Sequence, residues 1–240
     1  MDAINVKNLT KQYGDCIAVN HLSFRVGKGK VLGLLGANGA GKSSTIECIL
    51  GTKKMDGGEV RILGMNPVKD RTRVFEKVGV QFQESKYQDL LKVEELCEMT
   101  ASLYRETGDF ETLLQMFGIA DKKKTYVKEL SGGERQRLFI VLALIPNPEL
   151  VFLDELTTGL DARARRDVWN ILKKLKEQGL SILLTSHFMD EVEALCDEIL
   201  ILRKGNMVFY GTVDEAKEQS GMEHFEDAYL WFTEEATVTN

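Results

Sequence analysis

Eight residues constrain this chain more than any others: Gly36-Ala37-Asn38-Gly39-Ala40-Gly41-Lys42-Ser43, set between the apolar run 31–35 and a helical start at Ser44-Thr45-Ile46. Strand, glycine-rich loop and helix in that order form a cradle for phosphate. Glycines at 36, 39 and 41 permit positive φ angles and close backbone approach, so successive N–H groups curl around an anion while the helix adds its positive end. Lys42 then reaches the β- and γ-phosphates of a nucleoside triphosphate, Ser43 supplies a hydroxyl for Mg2+, and Ser44 continues the lining. Every required position of the Walker A pattern is filled.

The chain has 240 residues, enough for one large α/β domain with a substantial core. Its formal net charge of −6 leaves no basic excess to neutralise a nucleic-acid backbone, so nucleic acid is not an expected partner. Cys16, Cys48, Cys97 and Cys196 lie far apart, with no CxxC pair and no histidine at ligand spacing, which disfavours a disulfide framework or a zinc site and fits a reducing cytosol. The longest apolar runs, 138–145 and 199–202, are too short to span a bilayer, and Met1-Asp2-Ala3 is no signal peptide. Any membrane role is expected to run through a partner.

Along the chain, Leu22, Phe24 and Val26 alternate with polar residues as in a half-buried antiparallel strand. Tyr13 stands at a loop, where it either stacks on a nucleotide base or is an ordinary surface tyrosine at a turn. After Lys42 a helix carries Ile46, Ile49 and Leu50 and stops at Gly51. A turn at 56–58 leads to a strand at 59–63. Another strand at 78–82 leaves Gln83 just past its end, where it touches Mg2+ or the attacking water, or is simply solvated. From 84 to 130 the strand signal disappears, and 93–104 and 110–117 read as helices.

Leu130-Ser131-Gly132-Gly133-Glu134-Arg135-Gln136-Arg137 follows. Ser131 and Glu134 make a capping box, which by itself needs no ligand. Gly132 and Gly133 exceed what capping requires: they bare backbone N–H groups beside a serine hydroxyl at a helix start, a second anion site that Arg135 and Arg137 leave electropositive. The helix presents Leu138, Val141, Leu142 and Ile145 and ends at Pro146.

Residues 150–155 read as a buried strand tipped by two carboxylates. Asp154 is the candidate Mg2+ ligand, and Glu155 the group that polarises the water attacking the γ-phosphate. Asp161 caps a helix with Val168, Ile171, Leu172 and Leu175 on its core face. The strand 180–185 delivers Ser186-His187 to the same edge, where a histidine can donate to the γ-phosphate. A hairpin about Lys204-Gly205-Asn206, a capping box from Thr212 to Glu215, and a stripe of Phe225, Ala228, Tyr229 and Phe232 that packs on the domain complete the chain.

In identity, order and spacing, the Walker A loop, Gln83, Leu130-Ser131-Gly132-Gly133-Glu134, Asp154-Glu155, Asp161 and His187 resemble the ATP-binding cassette (ABC) ATPase family over nearly the whole chain. The resemblance implies an α/β P-loop NTPase (RecA-like) core with an antiparallel β subdomain and an inserted helical subdomain. It divides one domain, 1–240, into a core at 1–83 and 146–221, helices with the signature motif at 84–145, and a short C-terminal helix and tail at 222–240. It also implies ATP and Mg2+ as ligands and a head-to-tail dimer, homomeric by expectation. Each ATP would lie between the Walker loop of one subunit and Ser131, Gly132, Gly133 and Glu134 of the other. By the same resemblance Tyr13 stacks on adenine, Gln83 is the Q-loop residue, Asp161 the D-loop aspartate and His187 the switch histidine. Residues 157–166 and 225–230 look like those of ABC-2-type exporter subunits, which implies an integral membrane permease and a place on the cytoplasmic face of the membrane. A soluble relative acting on DNA or ribosomes is the competing reading; the absence of a heptad insertion between Lys42 and Asp154 weighs against it. The family pattern has proline after the catalytic glutamate, where this chain has Leu156.

Overall fold

The computed structural model describes residues 2–81 and 90–234, which divide into two compact units. Among the described residues, one comprises 2–27, 31–71 and 187–234, and the other 28–30, 72–81 and 90–186.

In the first unit, β1 (Asp2–Tyr13) and β2 (Cys16–Gly27) form an antiparallel hairpin with Ile4 opposite Val26 and Val6 opposite Phe24. β3 (Val31–Leu35) is buried throughout, and α1 (Lys42–Ile49) follows it. β4 (Gly57–Ile62) pairs with the other side of β1, giving the order β2-β1-β4. The expected turn at 56–58 is therefore partly strand. Gly58 has φ 96°, and a Cβ there would lie 2.5 Å from the carbonyls of Lys7 and Asn8, so glycine lets β4 begin hard against β1. Beyond it comes a five-residue helix, α2 (Arg71–Phe75), in a stretch for which the sequence reading assigns no element. Asn66 Oδ1 accepts the N–H groups of Val68 and Lys69 just ahead of it, a local turn without hydrophobic periodicity.

β3 runs parallel to β8 (Glu198–Arg203), which turns back antiparallel into β9 (Asn206–Gly211) through Lys204 and Gly205, both at positive φ. Against these strands pack α7 (Met189–Leu195), α8 (Val213–Ser220) and α9 (Phe225–Thr233). Leu35, Val192, Ile199, Ile201, Phe209, Ala216, Phe225, Ala228 and Phe232 form one cluster, in which the Phe209 and Phe232 rings lie 4.8 Å apart. The aromatic stripe near the C-terminus thus packs on the unit as its spacing implies. Each buried phenylalanine contributes about 2–3 kcal/mol. Helix α7 was not legible, because its seven residues give Met189, Val192 and Leu195 barely two turns of periodicity.

In the second unit, β5 (Val78–Gln81), β6 (Leu150–Leu153) and β7 (Ser181–Leu184) run parallel, β6 pairing with both neighbours. Their near-continuous burial fits their largely apolar sequences. α3 (Val93–Ala101), α4 (Phe110–Met116), α5 (Gly132–Leu144) and α6 (Ala162–Glu177) complete it. α5 lies against β5 so closely that a Cβ at Gly79 would meet the Ala143 carbonyl at 1.8 Å. Among the described residues no helix is long and apolar enough to cross a membrane.

Candidate functional site

The phosphate loop is built entirely in the first unit. β3 ends at Gly36, with φ 146°, and the chain then passes through Gly39 at 79° and Gly41 at 107°. A Cβ at Gly36 would lie 2.5 Å from the Leu202 carbonyl, and one at Gly41 would lie 2.2 Å from that of Ala18. No other residue could turn here without moving β8 or β2. Gly41 is the N-cap of α1 and brings no side-chain cap. By contrast Asp109, Ser131, Asp161 and Thr212 each cap their helices with a side-chain oxygen. A helix start without a side-chain cap is one suited to an external anion. Ala37, Asn38 and Gly39 are exposed, whereas Ala40 is buried and its N–H donates to the Ala37 carbonyl at 3.0 Å. Lys42 Nζ folds back to donate to the carbonyls of Gly36 (2.6 Å) and Ala37 (3.2 Å). Ser43 is exposed, Ser44 Oγ lies 3.5 Å from the Tyr13 hydroxyl, and His187 is exposed just ahead of α7.

The carboxylates stand in the second unit. Asp154 and Glu155 follow β6, and the Asp154 N–H donates to the Gln81 carbonyl at 3.1 Å. Glu155 has φ 51°, an uncommon backbone state for a non-glycine residue, and it is held there from several sides. Its N–H donates to Thr185 Oγ1 at 2.8 Å, and that hydroxyl in turn donates to Asp154 Oδ1. Gln136 Nε2, from α5, donates to the carbonyls of Glu155 (3.1 Å) and Leu156 (2.7 Å). Thr158 Oγ1 lies 3.4 Å from Glu155 Oε2. Leu156 is fully buried, and its N–H donates to the Thr185 carbonyl at 3.3 Å. Packing and hydrogen bonds therefore fix the loop where the family pattern relies on proline, which has no N–H to give.

The turn before α5 carries the expected capping box: Ser131 Oγ accepts the Glu134 N–H, and Glu134 Oε2 accepts the Ser131 N–H. That N–H, helped by Lys122, holds the Glu134 carboxyl below its ordinary value. A Cβ at Gly132 would meet nothing within 4 Å, whereas Gly133 faces Leu160 Cδ2 at 3.2 Å. The two arginines also have a structural part. Arg135 Nη2 donates to the Lys128 carbonyl and Arg137 Nη1 to that of Phe117, so both tie the helix to its own unit. Asp161 caps α6 by accepting the Ala164 N–H at 2.8 Å.

The structure thus brings Tyr13 to Ser44 and Lys42 to the loop carbonyls in one unit, and joins Asp154, Glu155 and the α5 segment in the other. Gln83 lies outside the described residues. Sequence reasoning did not single out Thr185 or Gln136. The first had a weak signal, a hydroxyl residue closing an apolar strand; the second had none beyond its place in a polar stretch. Among the described residues no cluster of three or more His, Cys, Asp or Glu could hold a metal ion. Ser43 in the first unit and Asp154 in the second each carry a hard oxygen donor of the kind Mg2+ takes.

A family model described as ABC transporter matches residues 19–158. The chain is similar to the daunorubicin resistance ATP-binding protein DrrA3 of Streptomyces coeruleorubidus, with 34% identity over 224 residues covering 91% of this chain and 71% of that protein. It is likewise 38% identical over 217 residues to the Nod factor export ATP-binding protein I of Rhizobium etli, covering 88% of this chain and 68% of the relative. A solved structure of the ATP binding subunit of an ABC transporter superposes with a TM-score of 0.89 at 27% identity, covering 97% of this chain and 100% of the other.

Proposed function

Because the chain belongs to the ABC transporter ATPase family, we propose that it binds and hydrolyses ATP to drive an exporter, working as a head-to-tail homodimer on a separate ABC-2-type permease at the cytoplasmic face of the membrane. The observation that carries the reading is the open turn at the start of α5. Ser131 and Gly132 are exposed, and nothing of their own unit covers Gly132. Such donors suit a phosphate held by a second copy. The export-named relatives support the direction of transport. Residues 84–145 serve as the helical subdomain that couples to the permease, within a core formed by 1–83 and 146–221.

In this reading Lys42 exchanges the Gly36 and Ala37 carbonyls for phosphate oxygens, and α1 presents its uncapped N–H groups to the same anion. Glu155 orients and polarises the attacking water, with its backbone fixed by Thr185 and Gln136. His187 donates to the γ-phosphate. Gln83 acts as the Q-loop residue and Asp161 as the D-loop aspartate, and Tyr13 stacks on the base. Ser43, Asp154 and Gln83 would hold Mg2+, which when bound neutralises charge on the phosphates. Phosphoryl transfer depends mostly on positioning and electrostatics, so dividing donors between two subunits makes turnover conditional on dimer closure. The different affinities of the open and closed dimer for ATP and ADP then move the permease between two states.

The test is Glu155→Gln, studied by light scattering and by ATPase assay. ATP should convert the variant to a stable dimer while turnover falls by about 10²- to 10⁴-fold. Hydrolysis at the wild-type rate would remove Glu155 from its role. Co-purification of the ATP-loaded variant from detergent-solubilised membranes should yield a polytopic protein; recovery of ribosomes instead would overturn the transport reading.

A further inference from the structure

Tyr13 closes β1 with its ring 42% exposed, yet the ring is not loose. Lys11 Nζ lies 5.0 Å from the ring centroid and Lys53 Nζ 5.5 Å. Lys11 comes from β1 itself, where the register with β2 shifts between Lys11 and Gln12, and Lys53 arrives from the loop after α1. Both ammonium groups are themselves anchored. Lys11, its side chain only 13% exposed, pairs with Asp56 at 3.2 Å, and Asp56 also accepts the Gln12 N–H at 2.7 Å. Lys53 pairs with Glu47 of α1 at 2.9 Å. Glu47 first, and the Tyr13 hydroxyl after it, raise the Lys53 pKa and keep the group cationic. The Tyr13 hydroxyl also reaches Ser44 in the first turn of α1. The ring is thus fixed from β1, α1 and the following loop, all within one unit.

Energetically significant cation–π contacts occur about once per 70–80 residues, so two on a single exposed tyrosine mark a built feature. Each ammonium thus faces both a carboxylate and the ring. We propose that Lys11 and Lys53 are positioning residues for the nucleotide base, holding the Tyr13 ring as a preordered platform onto which a purine stacks. The inference rests on the reading of Tyr13 as the base-stacking residue. An unbraced exposed tyrosine would lose rotamer freedom when the base arrives; a braced one has lost it beforehand, and the saving appears as affinity.

The experiment is calorimetric binding of ATP and of inorganic tripolyphosphate, which has no base, to the full chain. The variants are Lys11→Met with Lys53→Met, the corresponding pair to Arg, and Tyr13→Ala. The methionine pair should weaken ATP binding about fivefold and leave tripolyphosphate unchanged, while the arginine pair restores ATP affinity. Equal weakening toward both ligands would make the lysines general electrostatic contributors and overturn the inference. Unchanged ATP affinity in the methionine pair, with Tyr13→Ala weakened, would leave tyrosine as the whole platform. Unchanged ATP affinity in Tyr13→Ala would remove the base reading itself, and the inference with it. Lys53→Met alone, at a residue whose side chain is 45% exposed, carries the same comparison should the double variant fold poorly.

Discussion

Replacing Thr185 with valine tests how Glu155 is held. The hydroxyl accepts the Glu155 N–H at 2.8 Å and donates to Asp154 Oδ1, and the residue is fully buried, so no water can take its place without rearrangement. Valine preserves the volume and removes both bonds. Loss of a neutral hydrogen bond costs about 0.5–1.5 kcal/mol, and loss of one to a charged group about 1.5–3 kcal/mol. The sum is roughly 2–4 kcal/mol, within the 5–15 kcal/mol stability of typical domains, so the variant folds. Its melting temperature should fall by about 4–16 °C, since each kcal/mol shifts a protein of this size by about 2–4 °C. Activity should fall further than stability implies. With the Glu155 N–H unpaired, the backbone at φ 51° loses one of its restraints, and a displaced carboxylate costs about 10²-fold in turnover. Thr185→Ser keeps the hydroxyl and should recover most of the rate. Thermal denaturation alongside ATPase turnover at saturating ATP decides the matter. A valine variant with wild-type stability and turnover would refute the reasoning, because neither bond could then matter.

Gly79→Ala should destabilise the second unit by about 3 kcal/mol or more, since its Cβ would meet the Ala143 backbone carbonyl at 1.8 Å; urea denaturation measures it. Cys16 is exposed, whereas burial pushes the Cys97 thiol up to about 12 and raises that of Cys48. Iodoacetamide at pH 8 should therefore modify Cys16 in the native protein and reach Cys48 and Cys97 only after unfolding, as peptide mass spectrometry would show. The folded Glu134 carboxyl sits below the ordinary 4.5 because it accepts the Ser131 N–H and pairs with Lys122. Its contribution is complete above the unfolded value and is lost as pH falls through the folded one. The urea midpoint should accordingly be insensitive to Glu134 titration near pH 7 and decline below about pH 4.5, with a shallower acid limb in Glu134→Gln.

Much of the site was legible because its chemistry is local. The loop 36–43 needs glycines at fixed offsets, and the structure gives Gly36, Gly39 and Gly41 the positive φ angles that such a turn demands. The capping boxes at Ser131 and Thr212 were equally readable, since donor and acceptor lie three residues apart. Buried parallel strands announced themselves by largely apolar runs. Short helices did not: α2 is set up by an asparagine turn and α7 is too brief to display a period.

By itself, then, the sequence determined the phosphate loop, the helix caps, the strands and the order of the charged tips, all features whose partners lie within a few residues. Only the tertiary structure decided what holds those tips. Thr185 reaches Asp154 and Glu155 across about thirty residues of chain, Gln136 reaches the Glu155 loop from α5, and Lys53 reaches Tyr13 from beyond α1. Such contacts leave no periodicity or spacing to read, because they arise where packed elements bring distant residues together, and side-chain hydrogen bonds then form with whatever polar group packing leaves in reach.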